Sequence, residues 1–202
     1  MPVAVADPAP KESGVKLELR PLVARRVGID IGGVLVMHEL DWPRARHSWH
    51  ETSGVRRLVQ LLGPPNVHVV SYARIKGNIR EKIHRWLDVT DFCRTTGLPP
   101  NQIHFTTSRK GKAGKGPVAE RLRLTKFADD QDEVLSAVYS DPAGNIGANI
   151  DAAGGFFIHF ARSGVLRTPL PRPSAFGGKV PTCLRAVHSW GSIVACFHEI
   201  DV

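Results

Sequence analysis

The sequence predicts an α/β fold: a parallel sheet, doubly wound in three layers. Three observations carry that reading. Short, nearly continuous apolar runs recur along the chain, as strands buried on both faces require. Amphipathic helical stretches separate them, the alternation that crossover connections between parallel strands produce. The chain has 202 residues, 42% hydrophobic and 23% charged, which suits one globular domain and excludes a fibrous repeat or wholesale disorder.

Residues 1–21, rich in alanine and proline around Asp7, read as a flexible tail, and 22–202 as the domain. Residues 27–31 are an apolar run broken by Asp30 and closed by Gly32-Gly33, the first strand. Residues 54–62 place Val55, Leu58, Val59 and Leu62 on one helical stripe, stopped by Gly63-Pro64-Pro65. Residues 67–71 form a second buried strand, and 75–87 a helix with Ile79, Ile83, Trp86 and Leu87 on its apolar face. A third strand spans 103–106. A Gly/Lys loop then leads to a helix over 117–124, where Pro117 fits a first turn in which its missing N–H costs nothing. Residues 125–128 are a strand running into Asp129-Asp130, and 133–138 a helix. The stretch 140–155 reads as a long loop, 156–160 as a fifth strand, 162–181 as irregular, and 186–197 as a last strand or helix.

Chemistry is expected outside the carboxyl ends of the strands, where open α/β sheets bind their ligands. Those ends carry Asp30, Ser71, Asp129 and Asp130, and a lysine-bearing loop precedes the last pair. A carboxylate can attack phosphorus, paired carboxylates can hold Mg²⁺, and a hydroxyl and an ammonium can bind phosphoryl oxygens. Together they are a phosphoryl-transfer set.

Asp30-Ile31-Gly32-Gly33-Val34-Leu35 resembles the first motif of the haloacid dehalogenase superfamily, Asp-x-Asp-Gly-Val/Thr-Leu after a buried strand. Ser71 stands where the second motif has Ser or Thr, Lys115 where the third has Lys, and Asp129-Asp130 resembles the acidic pair of the fourth. The motifs keep the family order and cover residues 27 to about 138. The resemblance implies Asp30 as nucleophile and metal ligand, Ser71 and Gly33 at the phosphoryl group, and Lys115 as the charge-neutralising cation. Lys112, in the same glycine-rich loop, is the alternative to Lys115. Mg²⁺ would be held by Asp30, the Gly32 carbonyl and Asp129, with Asp130 as a further candidate. The implied activity is an Mg²⁺-dependent phosphatase working through an aspartyl-phosphate.

One departure bears on the chemistry. The second aspartate of the first motif, which in the family protonates the leaving group and activates water, is Gly32. Losing a positioned acid–base costs about 10²–10⁴-fold. A slow phosphatase, a different acid–base such as His38 or Glu39, and an inactive binding module for phosphate, nucleic acid or a protein assembly all follow from it.

The gaps after the first motif and between the third and fourth are too short for a cap, so the site is open and suits a large phosphorylated substrate. Formal charge is +8, and residues 109–126 hold seven cations against Glu120 alone, a segment able to attract nucleic acid. His47-Ser48-Trp49-His50-Glu51 lacks metal-site spacing, and Trp86 and Trp190 read as packing residues. Three widely spaced cysteines form no CxxC pair and suit a reducing compartment. No apolar run approaches a membrane span, and residues 1–10 lack the pattern of a secretory signal, so the expected location is cytoplasmic.

Overall fold

Six parallel strands form one sheet among the residues that the computed structural model describes, which are 26–36, 49–73, 78–109, 114–139, 156–160, 184–187 and 189–198. They are β1 (Val27–Ile29), β2 (Val67–Tyr72), β3 (Ile103–Thr106), β4 (Lys126–Asp129), β5 (Phe156–Phe160) and β6 (Leu184–Val187), in the spatial order β3-β2-β1-β4-β5-β6. The first strand is central: Ile29 lies opposite Val69 on one side and Ala128 on the other. It is apolar throughout because both of its faces are covered. The chain leaves β1 for β2 on one side and reaches β4 on the other, so a crevice opens at the carboxyl ends of this pair.

Helices α1 (Trp49–Leu62), α2 (Ile79–Val89), α3 (Phe92–Thr96), α4 (Lys115–Arg121), α5 (Asp132–Tyr139) and α6 (Trp190–His198) complete the described elements. One apolar cluster joins Val27, Ile29, Val67 and Val69 to Leu58 of α1, Trp86 of α2 and Phe197 of α6. A second joins Val70 and Phe127 to Ala119 of α4 and Leu135 of α5. Val69 and Val70 thus enter different clusters, as do Phe127 and Ala128, in keeping with the two-residue period of a strand.

Several boundaries differ from the sequence expectation. Helix α1 begins at Trp49 and passes through Gly54, which looked like a start. Gly54 is there for contact: a Cβ on it would lie 2.3 Å from Cε3 of Trp190 in α6. Helix α2 begins at Ile79, because Asn78 takes a left-handed φ of 60°. The sequence pattern gave no sign of α3, which is five residues long and held by Phe92, whose ring centroid lies 5.3 Å from that of Trp86. Helix α4 starts at Lys115 and so keeps Pro117 within its first turn. The end of the chain forms both a strand and a helix where one or the other was expected. Residues 1–21, 140–155 and 162–181 lie outside the described residues. No described helix is long and apolar enough to cross a membrane.

Two buried polar groups mark the amino-terminal edge of the sheet. Lys126 opens β4, is 1% exposed, and donates from Nζ to the carbonyls of Cys196 and Phe197 at 3.2 and 3.4 Å. It therefore satisfies carbonyls at the end of α6, where the helix dipole is negative. His68 on β2 is buried, with Nδ1 3.3 Å from Nε2 of His104 on β3. Burial, with His104 and Arg26 nearby, lowers the His68 pKa to about 4, and burial also lowers that of His104.

This packing has two measurable consequences. A Gly54→Ala change should destabilise the fold by about 1–3 kcal/mol, the usual cost of overpacking. Thermal denaturation should show a smaller loss in a Trp190→Leu background, where the obstructing ring is gone. Protonation of His68 is easier unfolded than folded, so its contribution is complete above pH 6.5 and declines as pH falls towards 4. Denaturant midpoints should drop across that window and drop less in His68→Leu; an unchanged midpoint in the parent protein would contradict a neutral buried His68.

Candidate functional site

Asp30 follows β1 directly, and the chain turns at once. Leu35 and Val36 donate their amides to the Ile31 carbonyl at 2.9 and 2.8 Å, and Gly33 N donates to the Val36 carbonyl at 2.7 Å. Asp30 N donates to the Ala128 carbonyl at 3.0 Å, which ties the turn to β4, while Asp30 Oδ1 accepts from Ile31 N at 2.7 Å. Trp190 Nε1 in α6 donates to the Val34 carbonyl at 3.1 Å and fixes the far side of the turn. Gly33 has a φ of 78°, and a Cβ on it would lie 2.1 Å from Asp130 Oδ2. Conformation and close approach both call for glycine there.

The end of β4 delivers two acids that face different surroundings. Asp129 is 0% exposed, and its Oδ1 accepts from Gln131 N at 2.9 Å. Its Oδ2 lies 2.7 Å from Lys115 Nζ, and the same ammonium is 2.8 Å from Asp30 Oδ2. Lys115 is the first residue of α4 and 1% exposed, so this bridge is dry. Burial opposes the charge on Lys115, but Asp129 and Asp30 outweigh it and raise its pKa. Burial also raises Asp129, to about 6, against the pull of Lys115. Asp130 borders the opening, and its Oδ1 has no hydrogen-bond partner among the described residues. Burial and the neighbouring charges of Asp129 and Asp30 push it up to about 8.

One oxygen from each of Asp30, Asp129 and Asp130 lies within 4.8 Å of the others, close enough to share a metal ion. Carboxylate oxygens suit a hard cation. Above them lies a cleft of about 230 Å³ lined by Asp30, Gly32, Gly33, Ser71, Lys115 and Asp130, with Asp129 just behind Lys115. Seven of the eight residues singled out in the sequence therefore meet in one place. The eighth, Lys112, lies outside the described residues, as do His38 and Glu39. Lys115 is the described lysine that reaches the acids.

Tyr72, Arg109 and Gln131 also line the cleft; the sequence places only Arg109 near it, as one of a basic run. A signal existed for two of them. Tyr72 follows Ser71, and Arg109 lies three residues beyond the carboxyl end of β3, next to β2 in the sheet. The described cations of residues 109–126 occupy different places. Lys115 and Lys126 are buried at opposite ends of the sheet, and Arg109 faces the cleft.

Comparison with known protein families, characterised proteins and solved structures gives no match for the chain.

Removing the ammonium while keeping its volume should expose what it balances. Lys115→Met leaves the Asp30 and Asp129 carboxylates buried and facing each other, which should cost about 3–5 kcal/mol in chemical denaturation. A loss below about 1 kcal/mol would mean that the bridge is solvated.

Proposed function

We propose that this cleft is the phosphoryl-transfer site of a haloacid dehalogenase-like hydrolase, and that the chain is an Mg²⁺-dependent phosphatase slowed by Gly32. The observation that carries the reading is the convergence of Asp30, Lys115, Asp129 and Asp130, from three separate stretches of chain, at the carboxyl ends of β1 and β4. The strand order and the two apolar clusters support a doubly wound, three-layer arrangement. The short gaps after Leu35 and between Lys115 and Asp129 support a site without a cap.

Among the described residues, the oxygen-only donor set and the unpartnered Asp130 Oδ1 fit Mg²⁺. Asp30, Asp129 and Asp130 would hold it, with the Gly32 carbonyl as the family resemblance implies. When bound, it supplies Lewis-acid neutralisation of phosphoryl charge. An Asp30 carboxylate oxygen forms a bond to phosphorus while the ester P–O bond breaks, and the leaving oxygen takes a proton from water. Water then attacks phosphorus, releasing inorganic phosphate and restoring Asp30. Lys115 keeps the Asp30 carboxylate oriented and balances charge, and Ser71 and Gly33 face the phosphoryl group.

A Cβ on Gly32 would meet nothing within 4 Å among the described residues, so the position of the missing acid borders open space on the cleft wall. That openness favours a second reading, a phosphate-binding module with intact ligands and no turnover. The open cleft suits a phosphorylated group on a large molecule, and a cytoplasmic location accords with the widely spaced cysteines.

Hydrolysis of an aryl phosphate with Mg²⁺ tests both readings. Asp30→Asn should abolish turnover, and Gly32→Asp should raise it by about 10²–10⁴-fold. Activity in Gly32→Asp alone would favour the binding module for the natural chain. Silence in every folded variant would overturn the phosphoryl reading.

A further inference from the structure

We infer that Arg109 forms a subsite for a second anion, so that the cleft selects phosphate esters carrying another anionic group beside the reacting one. The inference rests on the phosphoryl reading of the cleft and adds the class of substrate. Charge accounting motivates it. Three carboxylates and one ammonium meet at the site, and a divalent cation would bring their sum to neutrality. Lys115 is already committed to two carboxylates, so it offers nothing to a distant anion.

Arg109 is different. It lines the cleft, is exposed, and has no acidic partner among the described residues. Its Cζ lies 5.4 Å from the centroid of the Tyr72 ring. That contact holds one face of the guanidinium and leaves its planar edge for ligands, since guanidinium donors lie in the plane. Tyr72 ends β2, the neighbour of β1, and Arg109 follows β3, the next strand out. Strand spacing therefore sets the second anion about 5–10 Å from the Asp30 position. A small bisphosphate and a phosphorylated nucleic-acid end, with its following phosphodiester, share this chemistry. The side chains of Ile79, Ile83 and Val134 line the same cleft and would accept the apolar linker between the two anions.

Calorimetric binding with Mg²⁺ present tests the subsite without turnover, using phosphonates that cannot be hydrolysed. The probes are methylphosphonate, propane-1,3-bisphosphonate, and a dinucleotide bearing a 5′-methylenephosphonate. The parent protein should bind the bisphosphonate about 10- to 100-fold more tightly than methylphosphonate, the worth of a charge-assisted hydrogen bond. Arg109→Gln should erase that advantage and leave methylphosphonate binding and the thermal midpoint unchanged. Arg109→Lys should keep part of it. A dinucleotide bound more tightly than the bisphosphonate supports the subsite with a nucleic-acid end as its source; equal binding supports it with a small bisphosphate. No advantage in the parent protein, or equal weakening of both probes by Arg109→Gln, would overturn the inference. A folded parent protein that does not bind methylphosphonate would overturn the phosphoryl reading itself, and the subsite with it.

Discussion

A single buried ammonium organises this molecule. Lys115 Nζ lies between the carboxylates of Asp30 and Asp129, which end adjacent parallel strands. Without it, the two central strands would each deliver a desolvated negative charge to the same dry spot. With it, those charges are tolerable to the fold. The ammonium is also the first residue of α4, so the start of that helix is set by where the charge has to be. Buried ion pairs of this kind seldom add net stability over an apolar equivalent. Under the proposed function, their role would lie more in the chemistry of the carboxylates than in stability.

The acids do not share one environment. Asp129 is fixed by Lys115 and the Gln131 amide, so its orientation is settled by the fold. Asp130 rests against the α-carbon of Gly33, faces the cleft, and keeps one oxygen without a partner among the described residues. Burial favours its neutral form, yet a cation at the same place would favour the charged form. Under the proposed function, a bound cation would hold Asp130 in that charged form.

Much of the fold could be read from residue patterns because the strands are buried on both sides. Continuous apolar runs such as VHVV and FFIHF, too short for a helix of useful length, suit a strand covered above and below. The first five strands accordingly fall within a residue or two of their expected positions. The acids were legible for the same reason, since charged residues closing such runs stand out. What escaped notice depended on contacts between distant parts of the chain. Gly54 looks like a helix start until Trp190 is placed over it. Five residues are too few for α3 to show a period. Lys126 reads as a surface charge because sequence alone does not reveal that α6 ends above it. Arg109 was counted as one of a basic run, although its position after β3 assigns it to the cleft.

The Trp190–Val34 hydrogen bond has a consequence for how the protein is made. Strands β1 and β4, with their three acids, are complete once residue 130 has been synthesised. The turn that carries Gly32 and Gly33 gains its indole tether only when residue 190 follows. At translation rates of about 5–20 residues per second, that interval lasts about 3–12 s. During it, one side of the turn beside the acids lacks its anchor. Helix α6 therefore steadies a site to which its described residues contribute no reactive group.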